Sequence, residues 1–265
     1  EVRSSNKNYE ELVQQTGFGL APVKAQGSST QYDSHSQGYT ARGTNVAYSL
    51  GYIVTREELA DNLYEEVSMR RAGSLAFSMS QTRENVGANI YNRAFNSTYT
   101  GGDGVELLST AHVTVSGNQS NELATAADLS EASLEDLCIQ MMDATDFKGL
   151  KVNVRPRCLV IPTALTYDAQ RILKSQLRSG SADNDVNALK LAGSIPEIVV
   201  NNFLTDSDAW FVKTDVQDGL VWYDREAVQF TKDTDFDTDN AKAKGYMRFV
   251  PFWGDWRTLY GSPGA

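Results

Sequence analysis

The stretch Thr55–Phe95, TREELADNLYEEVSMRRAGSLAFSMSQTRENVGANIYNRAF, decides how the rest of the chain must be arranged. It contains no proline, and its apolar residues recur at helical spacing: Leu59, Leu63, Tyr64, Val67, Leu75, Met79, Val86 and Ile90. Tyr64, Leu75 and Val86 follow one another at intervals close to three turns, so they share a face. Thr55 and Glu58 form a capping box, the hydroxyl meeting one orphan N–H and the carboxylate another. The spacing predicts one helix of roughly 60 Å at ~1.5 Å per residue, about twice the width of a small domain. Gly73 and Gly87 each weaken it by ~1 kcal/mol against alanine. Two shorter helices broken near Gly73 or Ser80 are the alternative. In either arrangement one face must be covered by structure from elsewhere.

The segment before it is equally unusual. From Thr44 to Val54 the residues alternate, with Val46, Tyr48, Leu50 and Tyr52 on one face and Asn45, Ala47 and Ser49 on the other. That is a period-2 strand. Ala21–Tyr32 is poor in helix formers, and Asp33–Gly43 is rich in Ser, Gly and Gln. Together residues 20–54 read as a long β-hairpin arm, each side roughly 35 Å at ~3.3 Å per residue. An isolated two-stranded hairpin is marginal in water, so the arm must lie on something. Before it, residues 1–19 are a polar lead-in with a short helical candidate at Tyr9–Gln15.

Beyond the helix, Asn96–Gly104 is a turn cluster and Leu107–Val115 a mixed apolar run. A second helix opens at Asp128–Ser133, continues through Leu134, Leu137, Cys138 and Met141, and closes at Gly149. Val152–Ile161 holds a strand, Thr163–Leu177 a third helix, and residues 178–187 a Ser/Gly/Asp-rich loop. Strands follow at Glu197–Val200, Trp210–Thr214 and Leu220–Tyr223. Val228–Thr231 and Gly245–Phe252 alternate again around an acidic turn, Asp233–Asn240. The chain thus divides into a lead-in (1–19), an arm (20–54), a long-helix region (55–123), a compact α/β block (124–226) and returning strands (227–265).

Composition narrows the function. A chain of 265 residues with 41% hydrophobic content can bury a sizeable core. A net charge of −10 and a pI near 4.7 argue against a general nucleic-acid binder, which needs a basic stripe to displace counterions. The one local cationic pair is Arg70-Arg71. The two cysteines, Cys138 and Cys158, sit in apolar patterns, which suits reduced thiols better than a disulfide framework. The sequence has no apolar run long enough for a transmembrane helix and no signal-peptide pattern at its start. It opens on Glu1, which fits proteolytic removal of an earlier segment or numbering that starts at the first ordered residue.

Catalytic patterns are sparse. Of the two histidines, His35 lies in the arm tip and His112 in an apolar run, and neither is spaced for a Ser-His-Asp arrangement. The alternating Asp233, Asp235, Asp237 and Asp239 imitate the start of a calcium loop. Thr238 stands where that loop needs glycine and Lys244 where it needs glutamate, so a solvated hairpin tip is the default. Gly101-Gly102-Asp103-Gly104 lacks the Lys-Ser/Thr of a phosphate loop. The cysteines have no histidines at zinc-ligand spacing. Asn96-Ser97-Thr98 is a glycosylation pattern that is idle without secretion. Trp253 and Trp256 read as core. No catalytic residue, cofactor or metal is expected.

The order of these elements carries a resemblance. Leu107-Leu108-Ser109-Thr110-Ala111-His112 follows the long helix, and Asp128-Leu129-Ser130 opens the second. Arg155-Pro156-Arg157-Cys158-Leu159-Val160-Ile161-Pro162 precedes the third. Gly254-Asp255-Trp256-Arg257 and Tyr260-Gly261-Ser262 close the chain. Over nearly its whole length the sequence resembles the major capsid proteins of tailed bacteriophages, of the Hong Kong 97 type, with a Mu-type head-subunit flavour. The resemblance implies an α+β fold with an extended β-hairpin arm, a spine helix in a peripheral domain, and a compact α/β axial domain. It implies pentamers and hexamers closing into an icosahedral shell around double-stranded DNA, which is contacted weakly and without sequence specificity. Portal, scaffold, protease and decoration proteins would be further partners, with no membrane, assembly in the host cytoplasm, and residence in the virion capsid. Inter-subunit contacts would fall to Lys24, Tyr32, Arg42, Val46, Tyr48, Leu50, Tyr52, Arg70 and Arg71. Some capsids of this fold crosslink lysine to asparagine, and Lys24 is the only lysine in the arm. An encapsulin-like shell around an enzyme shares the fold and is the alternative. An α/β enzyme with a site in the central block is a second alternative, weakened by the missing nucleophile and cofactor loop.

Overall fold

A computed structural model describes residues 1–61, 65–177 and 185–265, with backbone only for residues 59 and 65–69. In chain order the elements are β1 (Val2–Ser4), β2 (Tyr9–Gln15), β3 (Gln37–Thr44), β4 (Val46–Val54), α1 (Arg56–Ala60) and α2 (Glu65–Asn92). Then come β5 (His112–Thr114), β6 (Gly117–Gln119), α3 (Glu131–Met142), β7 (Pro156–Ile161), α4 (Thr166–Lys174), α5 (Ala188–Ala192) and β8 (Glu197–Val200). The last are β9 (Trp210–Thr214), β10 (Leu220–Thr234), β11 (Ala241–Trp253) and β12 (Leu259–Ser262). They pack as two compact units, residues 1–10, 42–88 and 221–252 in the first, and 11–41, 89–220 and 253–265 in the second.

The first unit lays α2 against a four-stranded sheet ordered β1-β10-β11-β4. β11 pairs antiparallel with β4 from Ala241↔Val54 to Phe249↔Val46, and β1 runs parallel to β10. Leu75 and Met79 of α2 bury themselves on Met247 and Phe249 of β11, with Tyr48, Tyr52, Val86, Trp222 and Val228 around them. Removing these side chains from water is what holds the helix, since helical propensity alone is weak. Trp222 stacks on Phe249 at 4.7 Å, and Arg83 lies over Trp222 at 4.8 Å while pairing with Asp224 at 2.8 Å. Gly87 lets the helix approach Trp222: a Cβ there would stand 3.2 Å from the indole.

The second unit is built on the sheet β12-β9-β7-β8. β7 pairs parallel with β8 and antiparallel with β9. Leu134, Leu137, Cys138 and Met141 of α3 and Ala169 and Leu173 of α4 pack with Leu159, Ile161, Trp210 and Val212 of the sheet. Ser130 and Ser133 form a reciprocal capping box at the start of α3. A further cluster joins Leu107, Leu108 and Trp256 to Phe211 and Leu259.

The helical spine runs unbroken through Gly73 and Ser80, but α1 ends at Asp61, whose N–H returns to the Glu57 carbonyl. Leu63 and Tyr64, expected on the spine's buried face, lie outside the described residues, as do residues 178–184 of the expected polar loop. Tyr9–Gln15 is a strand, not the expected helix. Its alternating burial puts Leu12 inward, and pairing with β3 overrides the helix-forming Glu, Leu and Gln. The hairpin is therefore β2 with β3, joined through residues 16–36. Ala21–Tyr32, expected as its first strand, has no ladder at all. Val46–Val54, expected as its second, is an edge of the large sheet instead. Period-2 alternation identifies a strand but not its neighbour, and this strand found β11.

Candidate functional site

Among the described residues, Leu20, Val23 and Tyr32 in the segment 16–36 rank with the most exposed apolar side chains. Thr16 and Ser36 close the neck of this segment. The Thr16 N–H and hydroxyl both donate to the Ser36 carbonyl, at 3.0 and 2.9 Å, and the Ser36 N–H returns to the Thr16 hydroxyl at 2.8 Å. Asp33 forms a second clasp. Its Oδ2 accepts from the Gly19 N–H at 2.7 Å and from Lys148 Nζ at 2.8 Å. The Gly19 amide, then the Lys148 ammonium and the Ser34 amide, hold the carboxyl down at about 2. Beyond the clasp, Leu20, Val23 and Tyr32 are 83%, 101% and 96% exposed, and Lys24 is exposed with them. The neck is thus fixed while the apolar tip is left in solvent.

The stripe on β4 divides. Tyr48 stacks on Phe249 at 4.9 Å, and Tyr52 packs on the same cluster, so both face their own chain. Val46 and Leu50 stay about half-exposed, at 48% and 49%. The Arg42 guanidinium lies 4.3 Å over the Tyr9 ring. Arg71 pairs with Glu58, which lowers that carboxyl below its usual range, while Arg70 is exposed on α2. The acidic turn is tied internally, Asp235 to Lys242 and Asp239 to Arg56. Among the described residues no three His, Cys, Asp or Glu side chains gather as a metal site.

Sequence spacing missed one centre. His112 is fully buried and stacked flat on Trp256 at 4.3 Å. Its Nδ1 meets Asp103 Oδ2 at 2.6 Å and its Nε2 meets Asn121 Oδ1 at 3.0 Å. Asn121 Nδ2 donates to the carbonyls of Leu107, Trp256 and Leu259, and its Oδ1 also accepts the Ser109 N–H. A carboxylate does orient this histidine, but the other ring nitrogen closes on an amide rather than a nucleophile. Beside it, Arg257 reaches Asp255, Gln119 Oε1 and the Thr145 carbonyl. These are ties between loops and chain ends far apart in sequence. Asp103 and Asn121 each lie nine residues from His112, a spacing no local pattern announces.

Residues 42–262 match the model of the phage capsid protein family. No curated protein matches the chain in sequence. Among solved structures, the capsid of the native GTA particle aligns at 11% identity with a TM-score of 0.62, covering 100% of this chain and 88% of that one. The capsid of cyanophage P-SCSP1u aligns at 13% identity and 0.59, covering 100% and 86%. A virus-like particle from Pyrococcus furiosus aligns at 12% identity and 0.54, covering 98% and 89%. The GTA and cyanophage capsids share the fold over the whole of this chain, and the family match spans both compact units. The chain therefore belongs to the phage capsid protein family: a structural major capsid protein of a virion shell, with the Hong Kong 97-type fold, not an enzyme.

Proposed function

We propose that many copies of this chain, as pentamers and hexamers, close into an icosahedral shell around double-stranded DNA. The observation that carries this reading is the clasped loop 16–36, with Leu20, Val23 and Tyr32 held in solvent by Asp33 and Lys148. A loop fixed at its neck and apolar at its tip gains free energy only when another copy covers it. Such a contact joins unlike surfaces, so it propagates from copy to copy and closes only when the rotation allows. Lys24, Tyr32, Arg42, Val46, Leu50, Arg70 and Arg71 supply contacts to neighbours, and the Tyr48 and Tyr52 rings support the strand that presents Val46 and Leu50. The α2 and long-sheet unit takes the peripheral role, and residues 124–226, with α3 to α5 and β7 to β9, the axial one. With a net charge of −10, the chain meets DNA weakly and without regard to sequence. Assembly takes place in the host cytoplasm, with portal, scaffold, protease and decoration proteins as further partners. The Mu-type kinship rests on the sequence blocks alone.

The test is electron microscopy of the purified chain across ionic strength and pH. Closed hollow particles are expected, and a monomer under every condition would sink the reading. The likeness to a virus-like particle favours a second reading, an encapsulin-like compartment. A cargo enzyme copurifying with intact particles would select it over the genome shell.

A further inference from the structure

The hairpin β10–β11 carries two features that fit each other and cannot meet within one chain. At its tip, Phe236 is 95% exposed, the most exposed aromatic ring among the described residues of the first unit. Asp235 and Asp237 flank it, and Asp239 holds a left-handed φ of 52° that shapes the turn. Asp235 and Asp239 are engaged by Lys242 and Arg56, which fixes the tip. The Asp237 carboxylate has no partner among the described residues.

Further down the same strands lies a trough of about 420 Å³, whose lining includes Gly51, Ile53, Lys232, Asp233, Lys242 and Lys244, so that three lysines outnumber one aspartate. Lys244 sits opposite Gly51 and Lys242 opposite Ile53 in the β11–β4 register. At Gly51 the two strands close on each other: a Cβ there would stand 2.8 Å from the Ala243 carbonyl oxygen, so the position admits no side chain. The floor is therefore bare backbone beside an exposed isoleucine, with lysine stems for walls. Lys232 and Lys244 have no carboxylate partner among the described residues. An aromatic ring laid over a strand glycine is a favourable cross-strand arrangement. Lysine ammonium groups at the ring face add a cation–π term.

Lys244 lies four residues past Asn240, roughly 13 Å from the tip at ~3.3 Å per residue, and a paired hairpin cannot fold back on itself. We propose that the Phe236 tip of one copy seats in the Gly51–Lys244 trough of a second copy, with Asp237 against Lys244. The acid-flanked ring and the lysine excess of the trough select a second copy over nucleic acid, which the acidic tip would repel. A buried aromatic ring removes roughly 150–250 Å² from water, enough for an interface anchor but not for a whole interface. The contact therefore adds to others in the shell, and it rests on the shell reading for its setting.

The test uses the full chain and four variants: Phe236→Ser, Asp237→Lys, Lys244→Asp and the double charge swap. Particle yield is read on gradients, small oligomers by sedimentation velocity, and folding by thermal melting. Each single variant should melt like the parent and raise the concentration needed for association at least tenfold, and the double swap should recover most of that loss. Single variants that associate like the parent overturn the proposal, as does a double swap no better than either single variant. A single variant that melts lower is replaced by Asp237→Asn or Lys244→Gln and judged on the same criterion. A parent that forms small oligomers sensitive to these changes, but never closed particles, overturns the shell reading and leaves this contact standing.

Discussion

Among the described residues, Asn121 does more than any other side chain to join distant parts of the second unit. Its amide nitrogen serves three carbonyls, at 2.7, 3.1 and 2.9 Å, and its oxygen serves the Ser109 N–H and His112 Nε2. That pattern fixes the amide's orientation and makes Nε2 a donor, an assignment that rests on the hydrogen-bond network. Every partner is away from water, so each lost bond leaves a buried polar group unpaired, at ~1–3 kcal/mol each. Asn121→Asp keeps the shape and reverses the chemistry, since a carboxylate cannot donate to three carbonyls. The expected loss is about 3 kcal/mol or more of unfolding free energy, read by urea denaturation of the unassembled chain. A change under about 0.5 kcal/mol, the range of ordinary surface substitutions, would show that the amide is not the tie described here.

At the scale of elements, the loop 16–36 depends on its neck, and its neck on Asp33. The carboxyl is held at about 2 in the folded chain against an ordinary 3.8. A depressed folded value means the contribution is fully present above pH ~4 and is lost as pH falls toward ~2. The loop should therefore loosen through that window before the buried clusters open. Limited pepsin digestion should cut within residues 19–33 increasingly below pH ~4, while Asp33→Asn should already be cut at the top of that range. Equal cutting of the two proteins at pH 4 would count against the clasp. None of this was legible beforehand, because the Asp33 partners Gly19 and Lys148 lie 14 and 115 residues away. The spine was legible, since Leu75, Met79 and Val86 repeat at a helical period that only one conformation satisfies. So were the start of α3, which ends at Met142 and not at the expected Gly149, and the strand through Cys158–Ile161, buried from Leu159 on. The hairpin was misjudged along its length because Val46–Val54 alternates equally well against any neighbour, and the neighbour lies some 200 residues on.

The whole molecule presents a contrast between what is packed and what is left out. Aromatic and aliphatic clusters close around α2 and around α3, while Leu20, Val23 and Tyr32 stay in solvent on a loop whose ends are already joined. The Gly19 N–H touches Asp33 directly, so the residues between them can be replaced by a short Gly/Ser linker without parting the neck. Because residues 20–32 are exposed throughout and join none of the buried clusters seen among the described residues, their removal should leave the melting temperature within a few degrees of the parent. Loop-closure entropy changes slowly with length and points the same way. If the loop exists to be covered by a second copy, the shortened chain should stay as monomers or incomplete capsomers in sedimentation velocity and yield no closed particles by electron microscopy. A shortened chain that forms shells like the parent would mean the exposed tip serves something other than assembly. A shortened chain that melts far lower would mean the loop belongs to the fold, and the contrast between packed and unpacked surface would lose its functional meaning.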